Sequence, residues 1–181
     1  MPLPTRLLYT ATAVEGWFRK DAESKGRGGQ AFARFQEQVT QHRRNPCILY
    51  ANLRESGKPT AAQVSELLAE NIVFNSPILV RPIRGREVIA AIFAQSSATR
   101  GSGTYTAEFK LDERTTFLRW VGTMDGHKFE SLEVIVDNEQ GLIVERTIAL
   151  RPYPALKLFR DAMYASLKDK LPADVWDYPT A

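Results

Sequence analysis

Cysteine and histidine are scarce in this sequence. A single cysteine, Cys47, excludes a framework of intrachain disulfides. It follows Asn-Pro and precedes Ile-Leu, a setting that favours a small buried hydrophobic residue over a nucleophile. His42 and His127 are the two histidines, and no metal-ligand spacing surrounds either of them. We therefore expect neither a metal nor another cofactor.

Long apolar runs are also missing. No run approaches the ~18 residues of a membrane span. The N-terminal segment contains an Ala-x-Ala triplet, but its apolar centre is only Leu7-Leu8-Tyr9, far short of the ~7 residues of a signal-peptide core. The formal net charge of +3 is too small to indicate nucleic-acid binding. These features predict a cytoplasmic protein with no nucleic-acid partner and no membrane partner.

The first 58 residues predict a helical extension packed on the following domain. Apolar residues recur at helical spacing over residues 5–22, and again from residue 31 to a basic run at residues 42–44. Residues 48–53 form a shorter apolar segment with a helical pattern. Because such apolar stripes need a partner, we expect residues 5–53 to be helical and to pack on the domain.

Helix and strand signals alternate from residue 60 onward. Residues 60–63 match a capping box, in which a threonine hydroxyl and a glutamine amide satisfy reciprocal backbone donors. Two short strands are expected at residues 72–74 and 78–80, separated by a bend at Ser76-Pro77. A helix should follow Gly85 and run to about Ser96.

The second half of the chain changes to a period of two. Four long strands are expected in an antiparallel meander, over residues 104–111, 116–124, 127–137 and 142–151. Asp125-Gly126 predicts a tight hairpin turn, and Pro152 should end the last strand. A final helix from Pro154 completes an α+β domain at residues 59–170, and residues 171–181 form a tail that should dock on it.

Several stretches resemble the nuclear transport factor 2-like superfamily, near its SnoaL-like and ketosteroid isomerase-like members. Residues 67–77 resemble its helix-to-first-strand signature, and residues 84–89 resemble the glycine that starts the helix after the second strand. Residues 141–145 and 150–152 resemble the last hairpin and strand end. The resemblance implies a cone, in which a curved antiparallel sheet of two short and four long strands encloses an apolar pocket closed by helices. Members often form dimers through the sheet, and some are isomerases, polyketide cyclases, epoxide hydrolases or dehydratases.

The resemblance also implies two catalytic positions. Ser76 stands where ketosteroid isomerases carry a carboxylate base. A serine cannot relay a proton between carbons near neutral pH, and its hydroxyl could simply bond nearby backbone. Glu133 falls where the same family keeps a protonated acid, and it could stay neutral in an apolar pocket and donate a hydrogen bond. Alternatively, Glu133 is an edge or dimer-interface residue paired with Arg119 or Arg146.

Four further residues are candidates for ligand binding: Trp120, Tyr105, Arg119 and Phe74. Aromatic residues at a period of two are also common in ordinary cores. Epoxide hydrolases of this fold need an arginine and two aspartates on the long strands. Only the arginine is present here, because the nearby aspartates lie at turns.

Two functions remain open at this point. The first is a homodimeric protein that binds an apolar or aromatic small molecule. If this protein is an enzyme, it would carry out isomerase- or cyclase-type chemistry on a polyketide-like or steroid-like ligand. The second is a non-catalytic protein-interaction or regulatory module. The homodimer is expected because six residues offer more apolar sheet surface than one covered face can hide: Leu118, Trp120, Leu132, Val134, Ile148 and Leu150.

Overall fold

A computed structural model describes residues 46–178 of the chain. Contacts between residues divide the chain after Arg43, so every described residue belongs to one compact unit, Arg44–Ala181. The helices predicted over residues 5–22 and 31–44 lie outside the described residues. The division falls earlier than the predicted boundary at residue 58, and the helix over residues 46–55 belongs to the same unit as the sheet.

Helices and strands alternate along this unit. Two short helices, α1 (Pro46–Glu55) and α2 (Ala61–Ser65), precede strands β1 (Leu68–Asn75) and β2 (Ile83–Arg84). Helix α3 (Arg86–Thr99) leads into four long strands: β3 (Gly103–Lys110), β4 (Thr115–Met124), β5 (His127–Asp137) and β6 (Ile143–Arg151). Helix α4 (Tyr153–Leu167) and a 3₁₀ turn (Ala173–Val175) follow.

The six strands form one sheet in the order β2-β1-β6-β5-β4-β3. All neighbouring pairs are antiparallel except β1 and β6, which are parallel. Asp125 and Gly126 take positive φ angles of 49° and 77°, which the tight β4–β5 hairpin requires. The α+β class, the cone-type curved sheet and the four long strands are confirmed, and β6 ends just before Pro152.

The region before the long strands differs from the prediction in two places. The second short strand lies at Ile83–Arg84, because residues 77–80 form turns in which the Val80 N–H donates to the carbonyl of Val175 at 2.8 Å. The predicted capping box is present, since the Gln63 N–H donates to the Thr60 hydroxyl at 3.2 Å. However, α2 is only five residues long, and β1 begins earlier than expected.

The core lies between one face of the sheet and helices α3 and α4. This inner face carries the buried residues of the long strands, and the edge-to-face ring pair of Phe74 and Phe93 joins the sheet to α3. Cys47 is fully buried, as expected, and burial raises the pKa of its thiol to about 12. Trp176 docks on the body, whereas Tyr178 remains exposed, contrary to the prediction. No helix in the described range is long and apolar enough to cross a membrane.

Candidate functional site

Strand β5 places Glu133 at the centre of the inner face. Its register partners are Leu118 on β4 and Ile148 on β6, both of which are buried. The carboxylate itself is fully buried. It accepts hydrogen bonds from Arg146 Nη2 at 2.7 Å on one oxygen, and from Arg54 Nη1 at 3.2 Å on the other.

Glu133 is therefore held as an anion. Burial by itself would raise the pKa of this carboxyl, but Arg146, Arg54 and Arg100 together outweigh burial and lower its pKa to about 2. The hydroxyl of Ser131 also donates to it at 2.7 Å, which favours the charged form. The prediction of a neutral, hydrogen-bond-donating Glu133 is wrong for this reason. The alternative pairing with Arg146 is present, but inside the core and not at an edge.

The two guanidinium groups that hold Glu133 are themselves supported by tyrosines. Arg146 donates to the Tyr50 hydroxyl at 2.7 Å and stacks 4.3 Å from the Phe93 ring centre. Arg54 donates to the Tyr105 hydroxyl, also at 2.7 Å. Tyr50 and Arg54 lie four residues apart on α1 and so share one helix face. Helix α1 is thereby a structural part of the site.

Arg100, directly after α3, is the third buried arginine among the described residues, and no carboxylate of that part of the chain pairs with it. Its side chain lies among the rings of Trp120, Phe129 and Phe159, with distances of 4.9–5.4 Å to the ring centres. Among residues 46–178 no carboxylate forms an ion pair with it, and its Nε and Nη1 atoms have no hydrogen-bond partner. Burial, followed by repulsion from Arg54, lowers the pKa of Arg100 to about 9.

A pocket of about 250 Å³ opens beside these arginines, and we call it the mouth pocket. Its lining combines charged groups with the Trp120 ring and a glycine-rich loop: Arg54, Glu55, Gly57, Lys58, Ser97, Arg100, Gly101, Ser102, Gly103 and Trp120. A second cavity, beside Ser76, has a volume of about 10 Å³, which is room for roughly one water molecule. Arg100 and Arg146 also line this small cavity, but the larger space lies on the side of Arg54 and Trp120 and not at Ser76.

Two glycines allow Trp120 to form one wall of the mouth pocket. Gly103 and Gly122 are register partners on β3 and β4, and the indole ring lies against both of them. A Cβ atom on either glycine would overlap the Trp120 ring. The ring position thus depends on the absence of side chains at these two residues.

The structure brings together most of the residues predicted from the sequence. Glu133, Trp120, Tyr105 and Phe74 are all buried on the inner side of the sheet. Ser76 lies at the narrow cavity, where its hydroxyl accepts a hydrogen bond from the backbone N–H of Ile78 at 3.4 Å, as in the alternative interpretation of that residue.

Arg119 does not belong to this group. It lies on the outer face of the sheet, where it is paired with Glu130 and half exposed. The proposed ligand contact of Arg119 is therefore wrong for any ligand in the cone, because the side chains of adjacent residues on a strand point to opposite faces and its neighbour Trp120 points inward.

Three arginines of the site were missed as site residues. Arg146 stands in phase with Ile148 on β6, so a charge among inward-pointing apolar residues was a readable signal. Arg54 continues the buried stripe of Cys47, Tyr50 and Ala51 on α1. Arg100 follows α3 beside a Gly-Ser-Gly loop, and nothing in the local pattern distinguishes it from an exposed residue.

Comparison with known proteins gives structural matches alone. No protein-family model and no curated protein sequence matches the chain. An uncharacterised bacterial protein with a cystatin-like fold from Silicibacter pomeroyi is similar at a TM-score of 0.61 and 22% identity, over 67% of this chain and 86% of that chain. A steroid delta-isomerase from Pseudomonas aeruginosa gives 0.57 and 21%, over 60% and 80% respectively.

A third structure, described as an epoxide hydrolase/cyclase-like enzyme in pyran ring formation in the polyether salinomycin, gives a TM-score of 0.51 at 15% identity, over 63% of this chain and 94% of that chain. Together with the curved six-stranded sheet and the helices on its inner face, these likenesses define the class of the fold. The chain has the nuclear transport factor 2-like fold, as its sequence motifs indicated.

Proposed function

We propose that this protein binds a compact small molecule in the mouth pocket. The observation that carries the proposal is the meeting of Arg54, Arg100 and the Trp120 ring around a space of about 250 Å³. Pockets for drug-sized ligands usually measure about 300–1,000 Å³, so this one suits a smaller molecule. An aromatic wall with a few convergent polar groups is the usual composition of such a site.

Rapid isomerase chemistry is not part of the proposal. An isomerase of this type needs a base and an acid that face the same substrate. Glu133 is occupied by Arg146 and Arg54, and the Ser76 hydroxyl is bonded to backbone beside a cavity of about 10 Å³. A steroid-like or polyketide-like ligand would have to place one ring in the mouth pocket and the remainder outside it.

The test is a thermal melt with added ligands. We would compare a panel of compact aromatic molecules with a panel of steroids and polycyclic aromatic polyketides, on the wild type, Trp120→Leu and Arg119→Gln. Compact aromatic molecules should raise the melting temperature of the wild type and of Arg119→Gln, because Arg119 lies on the other face. Trp120→Leu should lose most of the shift. If no compact molecule stabilises the wild type, or if Trp120→Leu responds equally, the proposal is wrong.

We further propose that the protein forms a homodimer through the outer face of the sheet. Phe109 is 60% exposed and stacks on Phe117 at 6.2 Å between ring centres, and Leu132 is also exposed on this face. The other residues behind the sequence prediction divide between the faces, since Leu118, Trp120 and Ile148 belong to the buried core. An apolar outer surface of this kind is typical of an interaction site.

Sedimentation of the wild type and Leu132→Lys tests the dimer. The wild type should sediment as a dimer at micromolar concentration and Leu132→Lys as a monomer. Leu111→Lys is the matched control, because Leu111 is equally apolar and more exposed than Leu132 (60% against 37%) but lies at the β3–β4 turn. A monomeric wild type would contradict the proposal.

The cytoplasmic location stays a prediction from the sequence.

A further inference from the structure

The charges around the mouth pocket do not balance. Three arginines, at positions 54, 100 and 146, are at least nine-tenths buried, whereas Glu133 is the one buried carboxylate near them within residues 46–178. Both oxygens of Glu133 are already occupied by Arg146, Arg54 and Ser131. Arg100 donates no hydrogen bond to Glu133, which is engaged by these three donors.

The second carboxylate of the pocket is also engaged elsewhere. Glu55 Oε1 accepts from the Tyr105 backbone N–H at 2.6 Å and from the Thr104 hydroxyl at 2.8 Å. Lys58 adds a further positive charge at the exposed rim of the pocket. Counting Arg54, Arg100, Arg146 and Lys58 against Glu133 and Glu55 gives four positive and two negative charges, an excess of +2.

An unpaired guanidinium in this position is costly. Removing an ion from water costs several kcal/mol unless a partner restores what water supplied. The three aromatic rings around Arg100 offset part of that cost through cation–π attraction. They cannot accept the in-plane N–H bonds of Nε and Nη1, which stay without a partner among the described residues. Both atoms are closed off from solvent, so a ligand oxygen reaches them only when the wall of the pocket shifts to admit it.

We infer that the mouth pocket binds a compact aromatic carboxylate, whose oxygens pair with the guanidinium of Arg100 while its ring packs against Trp120. A planar carboxylate matches the fork of N–H groups on an arginine in two parallel hydrogen bonds. The Trp120 wall favours an organic anion over an inorganic one, because it offers an apolar ring face. The inference rests on the proposed function, since it names the class of ligand for the same pocket.

The experiment compares three probes by titration calorimetry: benzoate, benzamide and inorganic phosphate. Benzoate and benzamide have nearly the same shape, but only benzoate carries a charge. Benzoate should bind the wild type roughly tenfold to a hundredfold more tightly than benzamide, because a hydrogen bond to a charged group is worth more than one between neutral groups. Arg100→Met should remove that preference and leave the benzamide affinity nearly unchanged. Lys58→Met, at the exposed rim, should lower the benzoate affinity only about two- to threefold.

The stability of Arg100→Met without ligand separates a binding role from a structural one. Methionine keeps an apolar stem among the three rings and removes an unpaired buried charge, so its melting temperature should equal or exceed that of the wild type. Arg146→Met is the matched control and should melt lower, because Arg146 is paired with Glu133. If Arg100→Met melts as low as Arg146→Met, Arg100 is a structural residue and the inference is wrong.

The remaining outcomes separate this inference from the proposed function. Equal affinity of the wild type for benzoate and benzamide would support a ligand pocket but overturn the inference that its ligand is an anion. If phosphate binds and benzoate does not, the inference that the ligand is an aromatic carboxylate is wrong. If none of the three probes binds, both the inference and the proposal of a pocket for compact ligands fail together.

Discussion

Two glutamates on β5 lie three residues apart, on opposite faces of the sheet, and each is held between two arginines. Glu133, on the inner face, pairs with Arg146 and Arg54, whose side chains are 2% and 5% exposed. Glu130, on the outer face, pairs with Arg119 and Arg151, whose side chains are 46% and 71% exposed. The same ionic arrangement is thus present once in the core and once at the surface.

The difference between these clusters lies in the surroundings of the charges. Water competes for the outer arginines and screens their attraction to Glu130, so that arrangement contributes little to stability. The inner groups have lost their water and depend on one another, so removing one of them leaves the others buried and unpaired. A carboxylate between two arginines is therefore essential on the inner face and dispensable on the outer one.

The largest expected effect follows from neutralising each glutamate in turn. Glu133→Gln keeps the size of the side chain but leaves Arg146 and Arg54 without a counter-charge, and should lower the free energy of unfolding by about 3–5 kcal/mol. Glu130→Gln makes the same chemical change on the outer face and should cost less than about 1 kcal/mol. Urea unfolding of both variants measures the two values. Similar losses of unfolding free energy in the two variants would show that burial does not distinguish the two glutamates.

Acid should weaken the protein through Glu133. The pKa of this carboxyl is lowered from 4.5 to about 2 in the folded protein, so between these values the unfolded chain binds the additional proton. The contribution is complete above about pH 4.5 and is lost as the pH falls toward 2; it amounts to about 3 kcal/mol. Urea unfolding at several pH values should show the wild type losing its advantage over Glu133→Gln across this interval.

A second carboxyl, Asp137, changes the stability in the opposite sense at pH values from about 3.8 upward, beside the interval of Glu133. Comparing the wild type with Glu133→Gln removes its contribution. Partial burial raises the pKa of Asp137, so its contribution to stability changes in the other direction. Asp137 is present in both the wild type and Glu133→Gln and cancels in their difference. A pH-independent difference between wild type and variant would mean that Glu133 does not titrate as its arginine partners require.

The architecture was readable from the sequence because it depends on local signals. The alternation on the long strands, the Asp125-Gly126 turn and the stop at Pro152 each act within a few residues. The errors occurred where a distant segment decides the local conformation. Residues 78–80 were expected to be a strand, but their backbone bonds to the C-terminal turn through Val80 and Val175.

The centre of the site was only partly readable for the same reason. The position of Glu133 in the pocket followed from the family resemblance, because the period of two along β5 does not distinguish its face from that of Leu132 and Val134. Its ionised state did not, because it is set by Arg54, which lies 79 residues away, and by Arg146 on the next strand. A buried carboxylate and a buried carboxylic acid have the same sequence pattern, and only the partners distinguish them.

A smaller effect is expected from the hydroxyl that supports the inner glutamate. Ser131→Ala removes a donor 2.7 Å from Glu133, and a hydrogen bond to a charged group is worth about 1.5–3 kcal/mol. Thr147→Ala is the control on the outer face, where Thr147 is exposed and its partner Asn75 can bond water instead. That change should alter stability by less than about 0.5 kcal/mol. Both losses are measured by urea unfolding, and an equal cost for the two would show that Ser131 does not support the charge of Glu133.

The smallest effect concerns the outer ion pair itself. A double-mutant cycle with Glu130→Gln and Arg119→Gln should give a coupling of about 0.2–1 kcal/mol, because both side chains can exchange the pair for water. Raising the salt concentration to about 1 M shortens the screening distance to ~3 Å and should remove most of this coupling. The cycle of Glu133→Gln with Arg146→Met should give a larger coupling that hardly changes with salt, because no ions enter the core. The proposed dimer through the outer face would cover this pair, so the salt-dependent coupling is expected at protein concentrations too low for the dimer to form. At higher concentration, where the dimer forms, the outer coupling should become less sensitive to salt. A coupling that resists salt even at low protein concentration would show that water does not reach the outer pair.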